Sequence, residues 1–157
     1  MRALMSVLIV ATGLFAQQPA AKSFTSAADV AAMMAKAKSE RKSDQANFID
    51  VLLRSTPYTV NLEYRVRGVD TPPSVHETAV EVCYVIEGAG TLTTGGKLVG
   101  AKRMKSNELG TAIDGGSSRH IAKGDFFLIP ENTPHAFHTT AATLVIMSMH
   151  LPVAKAE

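Results

Sequence analysis

The sequence has no tryptophan, a single cysteine among 157 residues and only 6% aromatic residues. So few aromatic faces leave no stacking platform for single-stranded nucleic acid. Sixteen basic and fourteen acidic residues give a formal net charge of +2, too weak a field to announce a phosphate-backbone partner. Cys83 has no second cysteine to pair with, so stability must come from packing, and its neighbours Val82 and Tyr84 suit a buried free thiol. There is no GxSxG elbow, phosphate-cradling glycine loop, HExxH pair or CxxC unit. What remains is a chain that is 46% apolar, enough for the core of one domain.

Long apolar runs are also missing, with one exception at the start. Met1 and Arg2 precede ALMSVLIVATGLFA, and small residues follow in QQPAAKS. A basic start, a short apolar core and small residues read as a secretory signal over residues 1–21, cut somewhere after 16 to 21. An uncleaved N-terminal anchor is the alternative. The run is short for a membrane span and no later segment supplies one, so the mature protein is expected in the periplasm or outside the cell, without a stable span.

Residues 22–45 read as a helical extension. Ser26 and Asp29 have the spacing of a capping box, and Val30, Met33, Met34 and Ala37 recur at three and four over a predicted helix 27–41. The texture changes at Phe48. FIDVLL is a short apolar block. YTVNLEYRV alternates, with Val60, Leu62, Tyr64 and Val66 on one face and Asn61, Glu63, Arg65 and Arg67 on the other. EVCYVIEG and TLTT read as strands joined across Gly88, Ala89 and Gly90. DFFLIP, HAFHTT and AATLVIMSM read as further strands. Lys102, Arg103 and Lys105 fall in a polar stretch, 97–119, expected as a long hairpin or excursion, its basic residues solvated, with capping of the pocket or a subunit contact left open. Many short strands with Gly and Pro turns predict an all-β sandwich or barrel.

Two segments carry candidate chemistry. In the first, alternation puts Glu81, Cys83 and Val85 on one face, and an acidic residue on an apolar strand is costly unless it is paired or bound to a metal. His76 precedes it across a bend. In the second, Pro130 to Pro134 form a turn and His135 opens a strand with Phe137 on its face. Two imidazoles and a carboxylate form an open ligand set for Fe, Mn, Ni or Zn, although histidines in strands are often ordinary hydrogen-bonded residues.

These segments resemble the two motifs of the cupin family. His76, four residues, Glu81, six residues and Gly88 match the first. Gly124, five residues, Pro130, one residue, Asn132, two residues and His135 match the second. The resemblance covers residues 46–150, leaving 151–157 as a tail. It implies a double-stranded β-helix, the RmlC-like jelly-roll barrel, here with an N-terminal α-helix. It implies one divalent metal on His76, Glu81 and His135, and a homodimer. Where the family has its leading histidine this chain has Ser74, and where it has a turn glycine this chain has Asn132. Ser74, Arg65, Cys83 and Phe137 are expected around the pocket, Arg65 only if its face looks inward. His120 is a candidate to replace the missing imidazole; His138 and His150 are expected to be surface or structural.

The function expected is that of a metal-binding cupin acting on a small organic acid or sugar-derived substrate, as a dioxygenase, isomerase or lyase. A non-catalytic ligand-binding or structural role in the cell envelope is the alternative, since one fold hosts many functions.

Overall fold

A computed structural model describes residues 20–153. The expected signal segment therefore lies outside the described residues, except for Ala20 and Ala21. The described residues form one helix followed by antiparallel strands: α1 (Ala27–Glu40), β1 (Phe48–Ser55), β2 (Tyr58–Val66), β3 (Ser74–His76), β4 (Ala79–Thr94), β5 (Lys97–Val99), β6 (Lys102–Met104), β7 (Asn107–Leu109), β8 (Ala112–Asp114), β9 (Ser117–Ala122), β10 (Phe126–Ile129) and β11 (His135–Pro152).

Helix α1 starts where the sequence says it should. The Ser26 side chain accepts from the Asp29 backbone N–H while the Asp29 carboxylate accepts from Ser26, so two orphan donors of the first turn are satisfied. Met33 and Ala37 are buried, and Val30 and Met34 pack beside them against Leu52, Leu62, Tyr64 and Val145. Each large side chain removed from water in this way contributes roughly 1.5–3 kcal/mol.

Two long strands organise the sheet. β11 pairs with β4 along almost its whole length, and its second half also pairs with β2. The segments expected as separate strands around Gly88 are one continuous strand, β4, and those that meet between Thr140 and Ala141 are one strand, β11. Both bend at irregularities in their shared register, between Thr139 and Leu144 and between Val145 and Ile146. Gly88 is required at this bend. Its φ is +81°, and a Cβ there would lie 1.9 Å from the Thr143 carbonyl oxygen.

The bends let β11 bury both of its faces. Leu144 and Ile146 point into a core with Cys83, Val85, Leu92, Ile121, Ile129 and Phe137, while Val145 points the other way, under α1. Strand β2 divides similarly. Its apolar face meets α1, so its polar face, with Glu63 and Arg65, is turned inward and buried. A polar strand face that is normally solvated here becomes the wall of a cavity.

Candidate metal centre and its cavity

Three side chains converge at one end of the core, each held by a different strand. His76 closes β3, Glu81 sits near the start of β4, and His135 opens β11. Their ligand atoms all lie within 4.8 Å of one another. Glu81 Oε2 is 3.5 Å from His76 Nε2 and 3.3 Å from His135 Nε2. The turn that delivers His135 is pinned to β3: the Asn132 N–H donates to the His76 carbonyl at 2.8 Å, and Asn132 has φ +56°. Asparagine tolerates that left-handed backbone, so the family's glycine is not needed here.

Hydrogen bonds fix the tautomers. His135 Nδ1 lies 3.0 Å from the Thr133 carbonyl oxygen, and His76 Nδ1 lies 3.0 Å from Asn107 Oδ1. Both oxygens only accept, so each Nδ1 carries a proton. In the neutral rings both Nε2 atoms are therefore bare and point towards Glu81 Oε2, which is buried without a hydrogen-bond partner. Three lone pairs aimed at one another repel unless a cation lies among them. Around metal–ligand bonds of roughly 2.0–2.2 Å, tetrahedral ligand edges are about 3.3–3.6 Å. The two Glu81–imidazole separations fall in that range, and the residues fit a divalent ion.

The electrostatics agree. Burial alone would raise the Glu81 carboxyl, but the imidazoles of His76, His135 and His150 outweigh it and hold the group at about 2. Glu81 is thus an anion at any physiological pH. His135 is pushed below the ordinary histidine value by burial. Burial acts the same way on His76, but Glu81 and Asn107 outweigh it and raise that ring.

Ser74 takes no ligand position of its own. Its hydroxyl lies 3.0 Å from His135 Nε2, within hydrogen-bond distance of the one lone pair that a metal would take. Arg65 and Phe137 also line the cavity, with the Arg65 guanidinium carbon 4.7 Å from the Phe137 ring centroid. Cys83, expected as a pocket wall, lies deeper: it is fully buried in the core, and its thiol approaches Glu81 Oε1 at 3.6 Å. Burial pushes this thiol far up, which favours the protonated form. The cavity has a volume of about 320 Å³, the scale of a small metabolite.

Two expectations about histidines are corrected. His120 lies on the exposed face of β9, paired with Thr91 and away from the site. His150 is not a bystander: its Nε2 is 3.2 Å from His76 Nε2, and it lines the same cavity. Alternation from His135 gives the wrong face for His150, because the β11 bend shifts the parity. The signal that finds it is register, since His150 stands directly opposite Glu81 across the β4–β11 pair and opposite residues share a face. His138 is exposed, against Asp70 at 2.6 Å.

The excursion over 97–119 also reaches the site. β5 pairs with β8 as a separate ribbon, while the β6–β7 hairpin joins the main sheet through β3. This register places Asn107 opposite His76. Lys102, Arg103 and Lys105 are exposed as expected, with Arg103 forked on Glu77 at 2.5 and 2.7 Å.

Residues 56–157 match the family model described as the AraC-like ligand binding domain. With the barrel and the two motifs, the chain belongs to this family of the cupin superfamily. Its fold is similar to a cupin domain of Cnp3 from Schizosaccharomyces pombe, at 10% identity and a TM-score of 0.53, over 69% of this chain and 66% of that one, just under two thirds. It is also similar to a double-stranded β-helix protein from Klebsiella pneumoniae, at 17% identity and 0.53, over 71% and 82%. A putative sugar phosphate isomerase from Acidithiobacillus ferrooxidans matches at 19% identity and 0.53, over 83% and 75%. No curated protein matches the sequence.

Proposed function

We propose that the cavity binds one divalent transition metal through His76, Glu81 and His135, and that this centre receives a small organic acid or sugar-derived ligand. The observation that carries the reading is the buried, unpartnered Glu81 Oε2 facing two bare imidazole nitrogens at 3.3 and 3.5 Å. His150 Nε2, on the opposite long strand, stands 3.2 Å from His76 Nε2 as a further imidazole beside this set. Iron, manganese, nickel or zinc all suit two or three imidazoles and a carboxylate.

When bound, such a metal supplies Lewis acidity at positions left open to ligand, which suits an isomerase, lyase or dioxygenase. The chain's own contribution is positional. Thr133 and Asn107 hold the protons of His135 and His76 away from the centre, and Phe137 and Leu109 line the cavity with apolar surface. A second reading, non-catalytic ligand binding, is favoured by the family match to a ligand-binding domain. It uses the same pocket.

The test is metal content of the tag-free protein, measured by elemental mass spectrometry beside a His135→Ala variant. The expected result is about one metal per chain, lost in the variant. Less than about a tenth per chain, even after aerobic and anaerobic reloading, overturns the metal centre.

A further inference from the structure

Beside the candidate metal ligands, the cavity contains a charged side chain whose donors are mostly idle. Arg65 is 5% exposed and lines the cavity together with His76, Glu81 and His135. Its Nη2 meets Glu63 Oε2 at 2.5 Å, but its Nε and Nη1 have no hydrogen-bond partner. Glu63 is well supplied: Asn47 Nδ2 donates to its Oε2 at 2.7 Å, and the Ser148 hydroxyl donates to its Oε1. The imbalance is on the arginine. A guanidinium has five N–H donors and does not lose its proton, so burying one with Nε and Nη1 unmatched carries an uncompensated desolvation cost.

Neutralising Glu63 does not account for that arrangement, because a single contact uses one corner of the fork. Nε and Nη1 lie on different edges of the guanidinium, so a planar oxyanion that accepts two hydrogen bonds would take one of them together with Nη2. Glu63 and Glu81 already place two buried carboxylates on the cavity wall. A singly charged carboxylate is better tolerated there than a doubly charged phosphate. The Phe137 face under the guanidinium holds its plane in place for such a partner.

We propose that Arg65 is a carboxylate-binding residue, and that the ligand of this cavity is a small organic acid whose carboxylate pairs with Arg65 while its other end faces His76, Glu81 and His135. The inference rests on the reading above that the cavity is a ligand site, but not on a metal being bound.

Two matched pairs test it on the full chain: lactate against lactamide, and glucuronate against glucose. Affinities are measured by ligand-observed NMR with the protein metal-free and, separately, metal-loaded. The expected result is a preference of roughly tenfold or more for the acid of at least one pair. That preference falls to within about threefold in Arg65→Met and Arg65→Lys, while metal content is unchanged. Arg65→Lys keeps a positive charge beside Glu63 and stays informative where Arg65→Met does not fold. Equal affinity for acids and neutral partners overturns the proposal. So does an acid preference unchanged in Arg65→Lys, or no binding of either acid up to about 10 mM. An Arg65-dependent preference in protein that takes up no metal supports this inference and removes the metal centre. Stoichiometric metal without the preference does the reverse.

Discussion

Ser74 stands where the cupin motif has an imidazole, and His150 reaches the same cavity from the opposite long strand. The hydroxyl at 74 is spent on His135, 3.0 Å away, and the imidazole at 150 approaches His76 from across the sheet at 3.2 Å. If His150 is a ligand, His150→Ala weakens metal binding by roughly 10–100-fold, while His135→Ala abolishes it. Adding Ser74→His to His150→Ala then recovers part of the affinity. Titration with a competing chelator measures all of these. Unchanged affinity in His150→Ala makes the 3.2 Å contact a hydrogen bond of the metal-free pocket and nothing more. His76, Glu81 and His135 were legible in the sequence because motif spacing fixes them. His150 was not, because its side depends on a bend between Thr139 and Leu144 that no local alternation reports.

At the scale of elements, the excursion between β4 and β9 is the part of the fold least readable from sequence. Its polar composition predicts solvation, and most of its side chains are indeed exposed. Its functional part is set by a non-local pairing, β7 on β3, that places Asn107 against His76. By contrast, α1 was readable in its cap, its buried face and nearly its exact span, because those are local properties. The inward turn of β2's polar face was an open alternative that the docking of α1 on the other face decides. Asn107→Ala removes the acceptor that keeps the His76 proton on Nδ1. It is expected to lower metal affinity by roughly tenfold or more without changing the fold, since second-layer partners orient ligands at about that cost. Arg103→Ala, which breaks only an exposed fork on Glu77, is expected to change stability by less than about 1 kcal/mol and to leave metal content unaltered. Circular dichroism melts and chelator competition on the two variants separate the roles; equal effects would mean that the hairpin acts only as a brace.

For the whole molecule, the metal centre proposed above couples binding to folding, because His76, Glu81 and His135 come from β3, β4 and β11 and meet only in the folded chain. A metal at a hundredfold excess over its dissociation constant stabilises by about 2.7 kcal/mol, or roughly 5–11 °C for a domain of this size. The pH dependence has three parts with different signs. Glu81, held at about 2, stabilises the fold above the ordinary carboxyl value of 4.5, and this is lost as pH falls towards 2. His135 is lowered, so its contribution is present above 6.5 and lost as pH falls. His76 is raised, so its contribution is present below 6.5 and lost as pH rises through its folded value. In metal-free protein the two histidines oppose each other near neutrality, and the large acid loss comes later, from Glu81. In metal-loaded protein protons compete with the metal for the imidazole nitrogens. The melting-temperature gain from metal should therefore be largest near pH 8 and shrink steadily through pH 6. Calorimetry at pH 8, 7, 6 and 5, with and without metal, reads this directly. A gain that stays constant from pH 8 to 5 is incompatible with imidazole ligation and would assign the stabilisation to carboxylates elsewhere on the surface.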